Sequence, residues 1–315
     1  MNRKITLTLG ILSLSCLLSC HNSEKPKYNK VISITHELGT TEVPLQPKRV
    51  FVYDMGSLET LNELGIPVAG IPKDFVPKHL KKYKDNPKVQ DVGSILQPNL
   101  EKLSALDPEL IIISNLHAHD YDELSKIAAT ISLGPNNNDY LKSVIDNINN
   151  IGKIFTISDK TTEKTATIRQ QIDDAATLIA QSPKKIMILM YNAGAYSSFG
   201  RKSRYSFVFT DLKAKPADNN TEKNVHGAIV SSEYIADINP DILFIIDRNT
   251  IMTGHQANHH VIENVLIKRT TAYKNNSIYY LDPNVWYISG GGIYSLQQMT
   301  QDILAGYTSK NVLKN

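Results

Sequence analysis

The chain contains 315 residues, and its 34 Lys and Arg residues nearly balance its 31 Asp and Glu residues. This balance argues against a nucleic-acid partner, which would require a clear excess of basic side chains. Because domains usually contain about 100–200 residues, the length indicates two domains, which can bury a large core without disulfide bonds.

The N-terminus has the composition of an export signal. Two basic residues precede an apolar run over 5–18, which is shorter than the roughly 20 residues that span a bilayer. The run leads into Leu-Leu-Ser-Cys ending at Cys20, which resembles a bacterial lipobox. We therefore predict a signal peptide over 1–19, lipidation of Cys20 and a flexible polar tether over 20–30. An ordinary signal peptide that contains cysteines by chance is the alternative.

Lipidation at Cys20 would anchor the mature protein to the cell membrane, facing the periplasm or the exterior. No cysteine follows Cys20 in the sequence. The mature chain would therefore have no further thiol for a disulfide bond, a cysteine metal site or a cysteine nucleophile.

Strand and helix patterns alternate over 31–150 and predict an N-terminal α/β lobe. A hairpin is predicted over 31–44, around Gly39, and a buried strand over 49–53. A helix that Gly65 closes follows that strand. The apolar run Leu110–Ile113 is typical of a parallel strand that is covered on both faces.

Helical spacing without strand signals continues over 140–153 and 159–181, and the second of these helices is long. We predict that the region 151–183 connects the two lobes. The strand and helix alternation resumes after Pro183, which predicts a C-terminal α/β lobe over 184–315 with its clearest strands at 186–191, 242–246 and 278–281.

Two segments of the chain repeat one pattern. Residues 99–112 and 231–244 both read as a helix, a Pro followed by an acidic residue, and a buried strand. A Glu lies at the same offset before the Pro in each, at Glu101 and Glu233. We predict two similar α/β lobes, each a sheet flanked by helices, joined by one long rigid helix. Helix–Pro–strand joints are common in α/β proteins, so coincidence is the alternative.

The whole mature chain resembles the bacterial binding proteins that serve siderophore, haem and cobalamin importers, which hold their ligand in a cleft between two such lobes. Residues 49–65 and 99–103 match the general sequence pattern of these binding proteins. More specific motifs resemble the ferric-catecholate, enterobactin-type subgroup: Ser-Arg-Tyr-Ser-Phe at 203–207, Val-His-Gly at 225–227, 232–241, Asp-Arg-Asn at 247–249, and 280–283 running into Trp-Tyr at 286–287.

The resemblance implies that Arg204 and Arg248 line the cleft and face anionic catecholates. Arg suits this task because its planar guanidinium stays charged and pairs with two oxygen atoms at once. A surface or interdomain salt bridge is the alternative for each. The third Arg of the subgroup is expected at Leu116, so the cleft has lost one fixed charge. His117 or His119 could compensate where protonated, and Arg201 and Lys202 are also close in sequence.

His226 and Tyr287 match the pair that completes iron coordination when the siderophore supplies only four donor atoms. A phenolate is a hard oxygen donor for iron(III), and imidazole suits iron generally. A core histidine in a turn and a packed tyrosine are the alternatives. Trp286, Tyr205 and Tyr196 are candidates to stack on aromatic rings of the ligand.

The resemblance also implies a role for Glu101 and Glu233. In such proteins, one glutamate on each lobe docks onto arginines of the membrane subunits of the transporter. The alternative is two solvated acids on helix surfaces, as most exposed Glu residues are.

These features predict a monomeric substrate-binding component of an iron–siderophore ABC importer, without enzymatic activity. It would hold no intrinsic cofactor and would bind iron(III) only through the siderophore, a catecholate of four donor atoms. A haem-binding protein of the same fold is the nearest alternative, since Tyr or His can hold haem. A zinc-binding protein is a more distant alternative, suggested by the histidines around 117–119 and 255–260. An enzyme is also a more distant alternative.

Overall fold

The computed structural model describes residues 30–219 and 225–308. The predicted signal peptide, the lipidation site Cys20 and the tether up to residue 29 lie outside these residues.

The N-terminal lobe is a parallel sheet flanked by helices, preceded by an antiparallel hairpin. Its strands are β1 (Val31–His36), β2 (Gly39–Pro44), β3 (Val50–Val52), β4 (Gly70–Ile71), β5 (Gln90–Asp91), β6 (Leu110–Ile113) and β7 (Ala129–Ser132). Its helices are α1 (Met55–Leu64), α2 (Lys81–Asp85), α3 (Leu100–Ala105), α4 (Tyr121–Ile127) and α5 (Tyr140–Ile154), with 3₁₀ turns at Lys78–Leu80 and Asn115–Asp120. The sheet order is β5-β4-β3-β6-β7, and every pair is parallel.

Local sequence signals account for several of these elements. All four residues of β6 are buried, as its continuous apolar run predicted. Asp54 begins α1 by accepting a hydrogen bond from the Ser57 amide at 2.7 Å. Gly65 ends α1 with φ +76°, a left-handed conformation that costs glycine little.

One long helix, α6 (Ser158–Gln181), connects the lobes, as predicted. Its buried residues recur at helical spacing, at Ile168, Ile172, Ala175 and Ile179. A helix of 24 residues that is packed along one face forms a stiff link, which limits the movement of the lobes relative to each other.

The C-terminal lobe is built on a mixed sheet. Its strands are β8 (Lys185–Asn192), β9 (Ala195–Phe199), β10 (Lys215–Pro216), β11 (Ala228–Val230), β12 (Ile242–Asp247) and β13 (Ile278–Leu281). Its helices are α7 (Ser206–Thr210), α8 (Ser232–Ile238), α9 (Asn249–Thr253), α10 (His259–Ile262), α11 (Thr271–Lys274) and α12 (Ile293–Thr308), with a 3₁₀ turn at Ile267–Arg269 and a π-helical turn at Asn284–Ser289. The order is β11-β9-β8-β12-β13, and β10 pairs with the start of β8.

The antiparallel strands β9 and β11 were not predicted from the sequence. Ala193 and Gly194 connect β8 to β9 with φ angles of +47° and +90°. Positive φ at both positions of a two-residue loop makes a tight hairpin. Strand β9 contains small and polar residues, so it lacks the continuous apolar run that predicts a buried strand from the sequence.

The repeated sequence pattern corresponds to repeated geometry. Asn99 and Ser231 cap α3 and α8 with their side chains. The residues before the two prolines, Asp107 and Asn239, both have positive φ, at +46° and +50°. The acidic residue after each proline accepts a backbone hydrogen bond at the start of a neighbouring strand. Glu109 accepts from the amide of Arg49, just before β3, and Asp241 accepts from the amide of Lys185, which begins β8. The two lobes are therefore similar units.

The final helix ties the lobes together. Helix α12 packs against α6 and also against α1 of the N-terminal lobe. The amide of Ser295 in its first turn donates to the buried Glu59 carboxylate of α1 at 3.0 Å, and His79 contacts the other Glu59 oxygen at 2.6 Å. The hydrogen bond from Ser295 to Glu59 therefore joins α12 directly to the N-terminal lobe.

Candidate functional site: a cleft between the lobes

A cleft of about 730 Å³ lies between the two lobes. On the N-terminal side it is lined by segments that follow the carboxyl ends of β3, β4, β5, β6 and β7. This edge of a parallel sheet is where ligands of α/β proteins usually bind, because the loops there converge. On the C-terminal side the lining comes from the segments around residues 204, 225, 248 and 287.

Arg204 and Arg248 both line the cleft and converge on Tyr287. Arg248 Nε donates to the Tyr287 hydroxyl at 2.7 Å, and Arg204 Nη2 donates to the Tyr287 carbonyl at 3.0 Å. The guanidinium carbons lie 5.1 and 5.3 Å from the centre of the Tyr287 ring. These contacts hold two permanent positive charges side by side on one wall, where they can meet an anion together.

Tyr287 lies in the π-helical turn Asn284–Ser289, and its side chain is partly exposed. Turns of this kind are rare and occur often at functional sites. His226 is exposed and lines the same cleft. The structure therefore brings both predicted iron ligands to the cleft, together with the arginine pair.

The position of the expected third arginine also faces the cleft. Leu116 lines it and is exposed, so the loss of charge at this position falls in the site itself. Among the described lining residues, no Lys or Arg comes from the N-terminal lobe.

His117 does not compensate for the missing charge, in contrast to our prediction. Its side chain is fully buried, and burial lowers its pKa, so the neutral form is favoured. Its Nε2 donates to the Ile95 carbonyl at 2.8 Å, and its Nδ1 lies 3.3 Å from the Ser114 hydroxyl. His119 pairs with Asp120. Neither His119 nor Arg201 nor Lys202 lines the cleft.

Burial argues against the predicted stacking of aromatic rings on the ligand. Trp286 and Tyr205 belong to the cleft wall, but they are 0% and 1% exposed. The Trp286 indole donates to Asp302 at 2.8 Å, and the Tyr205 hydroxyl donates to the Trp286 carbonyl at 2.9 Å. Tyr196 is buried in another core cluster, where its hydroxyl donates to the Ile262 carbonyl. These rings are packed in the protein core, where they support the wall of the cleft.

Two buried polar residues of the cleft were missed from the sequence. Asp54 follows β3, and burial raises its pKa to about 7. Tyr140 begins α5, stacks on Phe207 across the lobes at 5.1 Å, and has no hydrogen-bond partner for its hydroxyl among the described residues. A polar residue directly after a buried strand is a signal that could have found Asp54.

Glu101 and Glu233 occupy equivalent surface positions. Each is the second residue of its helix, α3 or α8, and each is exposed. Hydrogen bonds from its own amide and from Ser231 lower the pKa of Glu233, so this carboxylate is charged at neutral pH.

Two further observations concern the alternatives. The described residues contain no group of three His, Cys, Asp or Glu side chains that could hold a metal ion. Across the described ranges, none of the helices is both long and apolar enough to cross a membrane.

Two similar α/β lobes, a stiff connecting helix and a cleft with convergent polar groups define a substrate-binding protein. The chain belongs to the periplasmic binding protein family, whose pattern matches residues 50–285. It is 40% identical over 285 residues to the ferric-anguibactin-binding protein FatB of Vibrio anguillarum, a match that covers 88% of each chain.

Solved structures agree with this assignment. The petrobactin-binding protein YclQ of Bacillus subtilis superposes with a TM-score of 0.86 and 41% identity, covering 89% of this chain and 100% of that one. The periplasmic catecholate-siderophore binding protein VctP of Vibrio cholerae superposes with a TM-score of 0.84 and 34% identity, covering 88% and 100%. The predicted fold and the predicted family are thereby confirmed.

Proposed function

We propose that this protein captures a ferric siderophore of the catecholate type in its cleft and delivers it to an ABC importer. The observation that carries the proposal is the pair Arg204 and Arg248, which converge on Tyr287 in the cleft. Ferric catecholates are anions with several hard oxygen atoms, and paired guanidinium groups bind such anions well. The description of VctP as a catecholate-siderophore binding protein supports this class of ligand, and the name of FatB as a ferric-anguibactin-binding protein supports a ferric complex.

The protein contributes charge, shape and two further ligands, while the siderophore supplies most of the iron coordination. A siderophore with four donor atoms leaves two positions of octahedral iron(III) open. His226 and Tyr287 are the cleft residues suited to fill them. We therefore propose a tetradentate catecholate as the ligand.

The proposal is tested by fluorescence titration with ferric siderophores. The single tryptophan, Trp286, is buried in the cleft wall, and ferric catecholates absorb light in the range of its emission. Energy transfer needs proximity but no contact, so we expect saturable quenching with one equivalent of a ferric catecholate. Absence of quenching across a siderophore panel, with a Soret shift on addition of haem, would identify a haem-binding protein instead.

Retention at the cell surface is proposed to depend on lipidation of Cys20. We expect metabolic labelling with fatty acid for the wild-type protein and none for Cys20→Ala, which should be released while its cleft still binds ligand. Several acyl chains are needed for stable anchoring, since one chain binds membranes only reversibly. Labelling of the Cys20→Ala protein would contradict the proposal.

Delivery is proposed to use Glu101 and Glu233, one on each lobe of a monomeric protein, as contacts to the permease. The double substitution Glu101→Ala and Glu233→Ala should reduce siderophore uptake strongly and leave ligand affinity unchanged, because neither residue lines the cleft. Uptake of labelled iron by cells and titration of the purified protein measure the two effects. Normal uptake would remove the docking assignment.

A further inference from the structure

Three loops of the N-terminal lobe form an apolar side of the cleft. Phe75 follows β4, Ile95 and Leu96 lie in the loop after β5, and Leu116 lies in the 3₁₀ turn after β6. We call these four residues the apolar wall. Leu96 and Leu116 are 65% and 59% exposed, although leucine is normally buried. Exposed apolar side chains that share one concave surface often mark a binding site.

Specific hydrogen bonds hold these loops together. The Asp74 carboxylate accepts from the Ser94 hydroxyl at 2.8 Å and from the Ile95 amide at 2.9 Å, which joins the first loop to the second. His117 donates to the Ile95 carbonyl at 2.8 Å, which joins the second loop to the segment of Leu116. The apolar wall is therefore a built surface, in which the buried His117 has a positioning role.

Phe75 has a backbone conformation that adds to this argument. Its φ of +47° lies in the left-handed region, which a bulky aromatic residue rarely adopts. Such a conformation costs about 1–3 kcal/mol and persists where surrounding contacts fix it, frequently at ligand sites. Here it occurs in the loop that brings the Phe75 side chain to the cleft.

The opposite wall carries the positive charge. Arg204 and Arg248 both belong to the C-terminal lobe, and Asp54 is the only acidic residue among the described lining residues. Iron(III) with three doubly deprotonated catechols carries three negative charges, whereas iron(III) with two carries one. Whether or not Asp54 is ionised, the two arginines supply enough positive charge to balance one negative charge and too little to balance three.

We propose that the apolar wall binds an uncharged, apolar part of the ligand while the ferric chelate of the same ligand faces Arg204 and Arg248. This inference rests on the proposed function and specifies its substrate as an amphiphilic ferric complex of low net charge. Val225 and Met252, which are also exposed, lie across the cleft on the C-terminal lobe and can cover the apolar part from the other side.

The test compares two synthetic tetradentate ligands as ferric complexes, both with two terminal catechols. One has a saturated alkyl linker, and the other has an oligo(ethylene glycol) linker of the same length. Binding is measured by Trp286 fluorescence to the wild-type protein, to the double variant Leu96→Ser and Leu116→Ser, and to the control Val265→Ser. Val265 is as exposed as Leu96 and lies outside the cleft lining, so it reports the general effect of such a substitution.

We expect the wild-type protein to bind the alkyl-linked complex about tenfold or more tightly than the glycol-linked one, since covering apolar surface is favourable. The Leu96→Ser and Leu116→Ser variant should lose most of this preference by weakening only the alkyl-linked complex. The control Val265→Ser should behave as the wild-type protein. Both leucines are exposed, so the double variant is expected to fold normally.

Two results would overturn the inference. Equal affinity of the wild-type protein for both complexes would mean that the apolar wall does not contact the linker. Equal weakening of both complexes in the double variant would mean that the leucines contact the other lobe on closure and not the ligand. In either case the ferric complexes still bind, so the proposed function stands. If the wild-type protein binds neither these complexes nor any ferric siderophore, the proposed function fails as well.

Discussion

Tyr287→Phe and His226→Ala should each weaken binding of a tetradentate ferric bis-catecholate by about 100-fold, and binding of a hexadentate ferric tris-catecholate only slightly. Even side chains that only support a metal ligand contribute about 10–100-fold to metal affinity, so loss of a direct ligand should cost at least the upper value. In the hexadentate complex the siderophore fills every position on iron, and no bond to the protein is lost.

The visible spectrum provides a second readout of the same substitutions. When a protein ligand is exchanged for water, the charge-transfer band of the bound tetradentate complex should shift. The band of the hexadentate complex should stay in place. Unchanged affinity and an unchanged band in both variants would contradict iron coordination by Tyr287 and His226.

Arg204→Ala provides a comparison with the substitutions of the two proposed iron ligands. It removes charge that acts on the catecholates, so it should weaken both classes of complex. Arg201→Ala is the control, because Arg201 lies nearby in sequence but outside the cleft lining. Tyr287→Phe also removes the hydroxyl that accepts the hydrogen bond from Arg248. Any small loss of hexadentate affinity in this variant measures that contact.

Asp54→Asn should stabilise the ligand-free protein at pH 8 and have little effect at pH 4. Burial raises the pKa of Asp54 to about 7, against the hydrogen bonds from Ser57 that lower it, and the nearby Glu59 carboxylate raises it further. The unfolded chain has the ordinary value near 3.8. The folded state therefore holds a proton between these two pKa values that the unfolded state releases.

The sign of the effect follows from this difference. The stabilising contribution of the protonated Asp54 is complete below pH 4 and is lost as the pH rises through 7. The difference between the two pKa values corresponds to up to about 4 kcal/mol in the free energy of unfolding. Asparagine cannot ionise, so the variant should keep this stability at high pH, and it caps a helix as well as aspartate does.

Urea denaturation of both proteins from pH 4 to pH 8 measures the effect as a growing difference between the two free energies of unfolding. Asp54→Ala separates the roles of cap and charge. Loss of the cap of α1 should lower its stability by about 1 kcal/mol at every pH, in addition to the same pH-dependent gain. A difference between wild-type protein and Asp54→Asn that is independent of pH would show that Asp54 is ionised throughout.

Elements whose signals are local could be predicted from the sequence. Four such signals predicted elements that the structure contains: the apolar run of β6, the glycine that closes α1, the helical spacing of α6, and the paired motifs before β6 and β12. Each depends on the preference of a short segment for one backbone conformation or on burial at a fixed period. For Arg204, Arg248 and Tyr287, the resemblance of the surrounding motifs to those of siderophore-binding proteins implied a place in the cleft, which these residues line.

Which side chains face the cleft depends on tertiary contacts. Trp286 and His117 lie within or beside motifs of the cleft, yet both side chains are fully buried and support its walls. Leu96 was not predicted to line the cleft, yet it is exposed there. The physical reason is that the direction of a side chain in a loop depends on the neighbours that pack around it. Those neighbours come from distant parts of the chain, and their positions are set only when the lobes fold and meet.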